Sequence, residues 1–149
     1  ALTEKHVVVI PSKTIPQGIT AMLSFDSEAD EQTNTETMTE ALGTVDTMQI
    51  TYAARDSDFD GFNIHQGDYL AMYGSSLFGT SRSLSELLKG LAEKVRDAGK
   101  SYITIFYGAD TTEKQAQKAA DIFGKLCPNA DINLLSGGQP VYYFLISAE

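Results

Sequence analysis

The chain has 149 residues, 42% of them hydrophobic and 21% charged, the balance of a globular domain with one ordinary core. Twenty Asp and Glu against 11 Lys and Arg give a formal charge of −9, which argues against nucleic acid or an anionic membrane as partner, because both call for clustered cations. The longest apolar runs, Val7 to Pro11 and Val141 to Ile146, are far shorter than the ~20 residues of a membrane-crossing helix, and a lone Cys127 leaves no internal disulfide, as suits a reducing cytoplasm.

Residues 1–149 read as a single domain, and an opening Ala1-Leu-Thr without Met reads as a piece of a longer protein. His6 to Ile10 is a short β-branched run, the pattern of a strand buried on both faces, and Pro11 ends it. Pro16 suits the first turn of a short helix with Ile19, Met22 and Leu23 on one face. Residues 24–37 are polar enough for a mobile loop, within which Thr33 or Asn34 can cap a second helix. Its stripe is Met38, Ala41, Leu42 and Val45, and Gly43 marks its end.

Met48 to Ala54 predicts a strand, Asp56 to Gly61 a reversing turn, and Tyr69 to Phe78 a hairpin around Gly74-Ser75-Ser76. Ser83-Leu-Ser-Glu86 has capping-box spacing and opens a helix with a stripe of Leu84, Leu87, Leu88, Leu91 and Val95 that stops before Gly99. Tyr102 to Tyr107 is a buried strand. A second capping-box spacing, Asp110-Thr-Thr-Glu113, then opens a helix whose inward face is Ala116, Ala119, Ala120, Phe123 and Leu126, closed by Pro128. Ile132 to Leu135 and Val141 to Ile146 are two closing strands. The expected class is α/β, with helices packed on a mixed, partly parallel sheet.

Few side chains form a chemical constellation. Asp56-x-Asp58-x-Asp60-Gly61 has the start of a Ca²⁺ loop, but the twelfth position is Gly67 rather than a bidentate Glu, so a polar turn is favoured. His6 and His65 have no second ligand at zinc spacing. Cys127 precedes Pro128 without an assigned base, and no Gly-x-Ser-x-Gly elbow occurs. Pro11-Ser-Lys13-Thr14 lacks the glycines of a phosphate loop, and Gly137-Gly138 precedes a strand rather than a helix. No catalytic residue and no metal ligand is assigned.

Three segments resemble the C-terminal region of the catalytic subunit of bacterial fatty acid kinase, which is of the dihydroxyacetone-kinase-like type. They are Val9-Ile-Pro-Ser-Lys-Thr-Ile-Pro-Gln-Gly18, Gln49-Ile-Thr-Tyr-Ala-Ala-Arg-Asp56 with Asp60-Gly61 and Ile64-x-x-Gly67-Asp68, and Ile103-Thr-Ile-Phe-Tyr-Gly108. The second half, from Tyr69 to Ser136-Gly-Gly-Gln-Pro140, is similar to the C-terminal half of DegV-type fatty-acid-binding proteins.

The resemblance implies a helper domain at the end of a multidomain kinase subunit of phospholipid metabolism. Its ATP and Mg²⁺ would sit on an N-terminal domain, with no cofactor in this chain. The implied partner is a DegV-type protein that presents its fatty acid for phosphorylation. The alternative is a module that itself binds a carboxylate or acyl chain. DegV-type proteins place a His in the closing Gly-rich segment, whereas here Gln139-Pro140 leads into Val141-Tyr142-Tyr143, so docking is expected over a direct grip on the lipid. Candidate partner or ligand residues are Lys13, Thr14, Gln17, Gly18, Arg55, Asp56, Asp60, Gly61, Arg82, Gly137, Gly138 and Gln139.

Overall fold

A computed structural model describes residues 4–59 and 61–149, which contain four helices, a six-stranded mixed sheet and a two-stranded hairpin. The chain divides into two compact units, Ala1–Val45 and Asp46–Glu149.

The first unit holds α1 (Ile15–Leu23) and α2 (Glu31–Ala41). Thr14 caps α1 by accepting from Gln17 N at 3.3 Å, and Pro16 falls in the first turn, where a missing N–H costs no helical bond. The expected strand at His6 to Ile10 does not form: these residues are not in a ladder, and Val7, Val8 and Val9 are exposed. A β-branched run favours extended backbone but does not supply a pairing edge. The expected inward face of α1 is also reversed, since Pro16 and Ala21 are buried while Ile19, Met22 and Leu23 are exposed.

Neither Thr33 nor Asn34 caps α2. Asp30 does, its carboxylate accepting from Thr33 N at 2.7 Å, and those bonds to the charged form hold its pKa below the usual value. Asn34 instead closes the preceding loop. Its Oδ1 accepts from Asp26 N at 2.8 Å, and its Nδ2 donates to Asp26 O at 2.7 Å and Ala29 O at 3.2 Å. The stretch expected as a mobile loop is thus a tied loop followed by helix.

The second unit contains β1 (Asp46–Tyr52), β2 (Ser57–Phe59), β3 (Phe62–Ile64), β4 (Tyr69–Tyr73), β5 (Ser76–Ser81), α3 (Leu84–Asp97), β6 (Tyr102–Tyr107), α4 (Glu113–Leu126), β7 (Asp131–Ser136) and β8 (Phe144–Ala148). Sheet order is β5-β4-β1-β8-β6-β7, with only β6 and β7 parallel. Gly74, at φ 60°, opens the two-residue β4–β5 loop, as a glycine at the first position of a primed turn should.

The alternation of strand side chains sends Met48, Ile50, Phe144, Ile146, Ile103 and Ile105 to the helix-covered face. There they meet Leu88, Leu91 and Val95 of α3 and Ala116, Ala119 and Phe123 of α4. Leu70, Met72 and Leu77, on other positions of β4 and β5, pack with Ala53, Phe62 and Ile64 in a smaller cluster.

Both capping boxes differ from expectation. Ser83 occupies the N-cap of α3 but makes no side-chain cap bond; Ser81 Oγ accepts from Ser83 N at 3.0 Å and donates to Glu86 at 2.7 Å. At α4 the box is Thr112 with Gln115, two residues beyond the expected start, because Thr111 Oγ1 is drawn away to Tyr143 O at 3.1 Å. The turn expected over Asp56 to Gly61 is confined to its end, since Ser57 to Phe59 pairs as β2 and Gly61 reverses the chain at φ 80°. The last strand begins three residues later than expected, at Phe144 rather than Val141.

Candidate functional site

Strand directions gather six connections at one end of the large sheet. β1 ends at Tyr52 beside the start of β4, and β5 ends beside that start at Ser81. β8 begins, and β6 and β7 end, at the same level. The loops after β1, β5, β6 and β7, the loop before β4, and the N-termini of α3 and α4 therefore share this end. In α/β folds, loops after parallel strands are the usual place for ligands and partners. Arg55, Asp56, Arg82, Gly137, Gly138 and Gln139 all fall there.

Most of their polar atoms hold the loops themselves. Asp56 Oδ1 accepts from Gln66 N at 2.7 Å. Arg82, with its side chain 82% exposed, donates through Nε to Asp68 Oδ1 at 3.4 Å, while the buried Asp68 also accepts from His65 N at 2.9 Å. Gln139 Nε2 donates to Phe106 O at 3.1 Å, and Ala109 N donates to Gln139 O at 3.0 Å. Gly137 and Gly138 both donate to Tyr107 O, and Gly138 turns the chain at φ 61°. Arg55 is exposed on the loop after β1, and Asp60 lies outside the described residues. Lys13, Thr14, Gln17 and Gly18 form the start of α1 in the first unit, where Gln17 Oε1 accepts from Lys13 N at 2.9 Å and Gln17 Nε2 donates to Leu42 O at 3.2 Å.

The most unusual backbone at this end is Val141, at φ 71°, with Tyr142 N donating to Pro140 O at 2.8 Å. A positive φ closed by an i to i+2 bond is a γ-turn of the rarer hand, strained for a β-branched residue. Its position is over-determined by neighbours. Thr51 Oγ1 donates to Val141 O at 3.0 Å, and Tyr143 N donates to Ile50 O at 2.8 Å. Gly108 passes so closely beneath that an added Cβ would overlap Tyr142 O and lie 2.7 Å from Gln139 O.

Tyr143 beyond the turn meets Tyr52 at 6.1 Å and Tyr69 at 5.4 Å between ring centroids, both edge to face. Burial, then the neighbouring Tyr69, Asp110 and Tyr52, push the Tyr143 phenol up from its ordinary pKa. Exposed Tyr52, Val141 and Tyr142 give this end an aromatic rim. Sequence reasoning missed Tyr52, Asp68, Tyr69 and Tyr143 as neighbours, because only the β1–β4 and β1–β8 registers bring them together.

Among the described residues, no three His, Cys, Asp or Glu side chains gather as a metal ion would require. Cys127 lies at the opposite end, buried, with Sγ donating to Ala92 O at 3.4 Å; desolvation raises its pKa and so disfavours the reactive thiolate. Among the described residues no helix is long and apolar enough to cross a membrane. The arrangement suits contact through aromatic and cationic surface rather than proton transfer.

Over residues 1–149 the chain matches the FakA-like C-terminal family of fatty acid kinase. It is 29% identical over 149 residues to protein YloV of Bacillus subtilis, and 29% identical over 149 residues to a Staphylococcus epidermidis protein. The match takes in the whole chain but 27% of each of those proteins, so the chain spans about a quarter of their length.

Among solved structures, a DegV family protein from Eubacterium eligens loaded with heptadecanoic acid aligns at TM-score 0.60 and 16% identity, over 90% of this chain and 55% of that one. DegV family protein Cg2579 from Corynebacterium glutamicum aligns at TM-score 0.59 and 15% identity, over 89% and 58%. The fold is thus of the DegV kind, and the whole-length match makes this chain a member of the FakA-like C-terminal domain family of fatty acid kinase.

Proposed function

We propose that this chain is a non-catalytic docking domain of a fatty acid kinase-like protein. It holds a DegV-type fatty-acid-binding protein so that an ATP- and Mg²⁺-binding domain of the longer protein phosphorylates the bound acid, in the cytoplasm, for phospholipid metabolism. The observation that carries the proposal is the whole-length family match. Supporting it, Asp56, Asp68 and Gln139 at the loop-bearing end are engaged in loop closure, so they serve rigidity rather than acid–base chemistry.

Calorimetry of this chain, and of the full-length kinase protein, with the same organism's DegV-type protein loaded with palmitate tests it. Saturable binding is expected. Binding by neither would overturn the proposal, and an acyl chain carried by this chain itself in native mass spectrometry would favour the ligand-binding alternative.

A further inference from the structure

The first unit turns a large apolar surface to solvent. Ile15, Ile19, Met22 and Leu23, spaced i, i+4, i+7 and i+8, fall on one side of α1. Ile15 is 65%, Met22 73% and Leu23 82% exposed, and Phe25 just beyond is 58% exposed. Past Phe25 the surface continues into a groove of about 390 Å³ lined by Val8, Ile10, Phe25 and Met38. Contiguous exposed apolar surface on this scale marks an interaction site.

Its border has one sign of charge. Residues 14–45 contain six carboxylates, Asp26, Glu28, Asp30, Glu31, Glu36 and Glu40, and no Lys or Arg. All six are exposed on α2 and the loop before it. A second copy would bring that acidic border against itself, and an anionic lipid or nucleic-acid surface would be repelled. The complement is a protein with an apolar groove edged by Lys and Arg.

We infer that the outer stripe of α1 and the adjoining groove are the docking surface, received by an apolar groove with a basic rim on the DegV-type partner. This rests on the docking proposal above and names the surface that performs it. The helix stripe supplies the apolar anchors, and the carboxylates of α2 and its loop orient the approach.

The test uses the 149-residue chain with the palmitate-loaded DegV-type protein of the same organism. Met22→Glu with Leu23→Glu, both on exposed positions, is expected to weaken binding about tenfold or more with unchanged circular dichroism and melting temperature. Glu36→Lys with Glu40→Lys is expected to weaken it several-fold and to flatten the salt dependence of the wild-type affinity. Tyr52→Ala with Tyr142→Ala, at the loop-bearing end of the large sheet, is expected to bind as wild type does.

Wild-type binding left intact by both α1 and α2 variants would overturn this assignment while docking stands. A lowered melting temperature with unchanged affinity would make the stripe part of the fold and overturn it as well. No wild-type binding, by this chain or by the full-length kinase protein, would overturn the docking proposal and this surface with it.

Discussion

Val141 has an exposed side chain and a backbone that only its neighbours can hold at φ 71°. Such a conformation costs a non-glycine residue about 1–3 kcal/mol, whereas glycine adopts it freely and loses about 1 kcal/mol through greater freedom of the unfolded chain. Val141→Gly is therefore expected to leave stability unchanged or raise it by up to about 2 kcal/mol, read from urea unfolding. A clear loss would show that the turn is not strained.

Tyr73, at the other end of the sheet, donates to Asp46 Oδ2 at 2.8 Å and lies under Lys94 Nζ at 5.6 Å. Burial first, then the bond to the Asp46 carboxylate, pushes its pKa from 10.0 up to about 12. The folded state thus prefers the protonated phenol more than the unfolded chain does. The resulting stability is full below pH 10 and is lost as pH rises through about 12. Tyrosinate absorbance should show one late-titrating tyrosine that Tyr73→Phe removes, and that variant should lose stability less steeply across this window.

At the level of elements, the two helix starts separate a sequence pattern from the bonds that realise it. Both Ser83 to Glu86 and Asp110 to Glu113 have capping-box spacing, yet the reciprocal bonds belong to Thr112 and Gln115. Thr112→Ala should cost about 1 kcal/mol, the usual loss of a cap. Ser83→Ala should stay within about 0.5 kcal/mol because its hydroxyl makes no cap bond. Chemical denaturation of the two variants side by side checks both; equal losses would place a cap bond on Ser83. The apolar stripes of α3 and α4 are readable because a 3.6-residue period over 14 residues has few alternatives. The nine-residue α1 carries an equally regular stripe, and its period says which residues share a side without saying what covers them.

Over the whole molecule, stability concentrates where β8, last in the chain and buried at every position, lies between β1 and β6 under α3 and α4. Phe123 is fully buried against this core, so Phe123→Ala should cost about 3–5 kcal/mol, measured as a shift in the urea midpoint at constant slope. A smaller loss would mean the site collapses around the missing ring.

Residue order is enough to establish the α/β class, the strand Tyr102–Tyr107, the hairpin turn at Gly74, the inward faces of α3 and α4, and, through the segments around Lys13, Arg55 and Ile103, the family. These are local periodicities and short motifs, written in neighbouring residues. It takes the folded chain to make β8 central, to bring Tyr52, Tyr69 and Tyr143 together, to force Val141 into a γ-turn, and to turn the stripe of α1 toward water. Each depends on pairing between residues far apart in the chain, whose free energy is set by register and cover and leaves no periodic trace along the sequence.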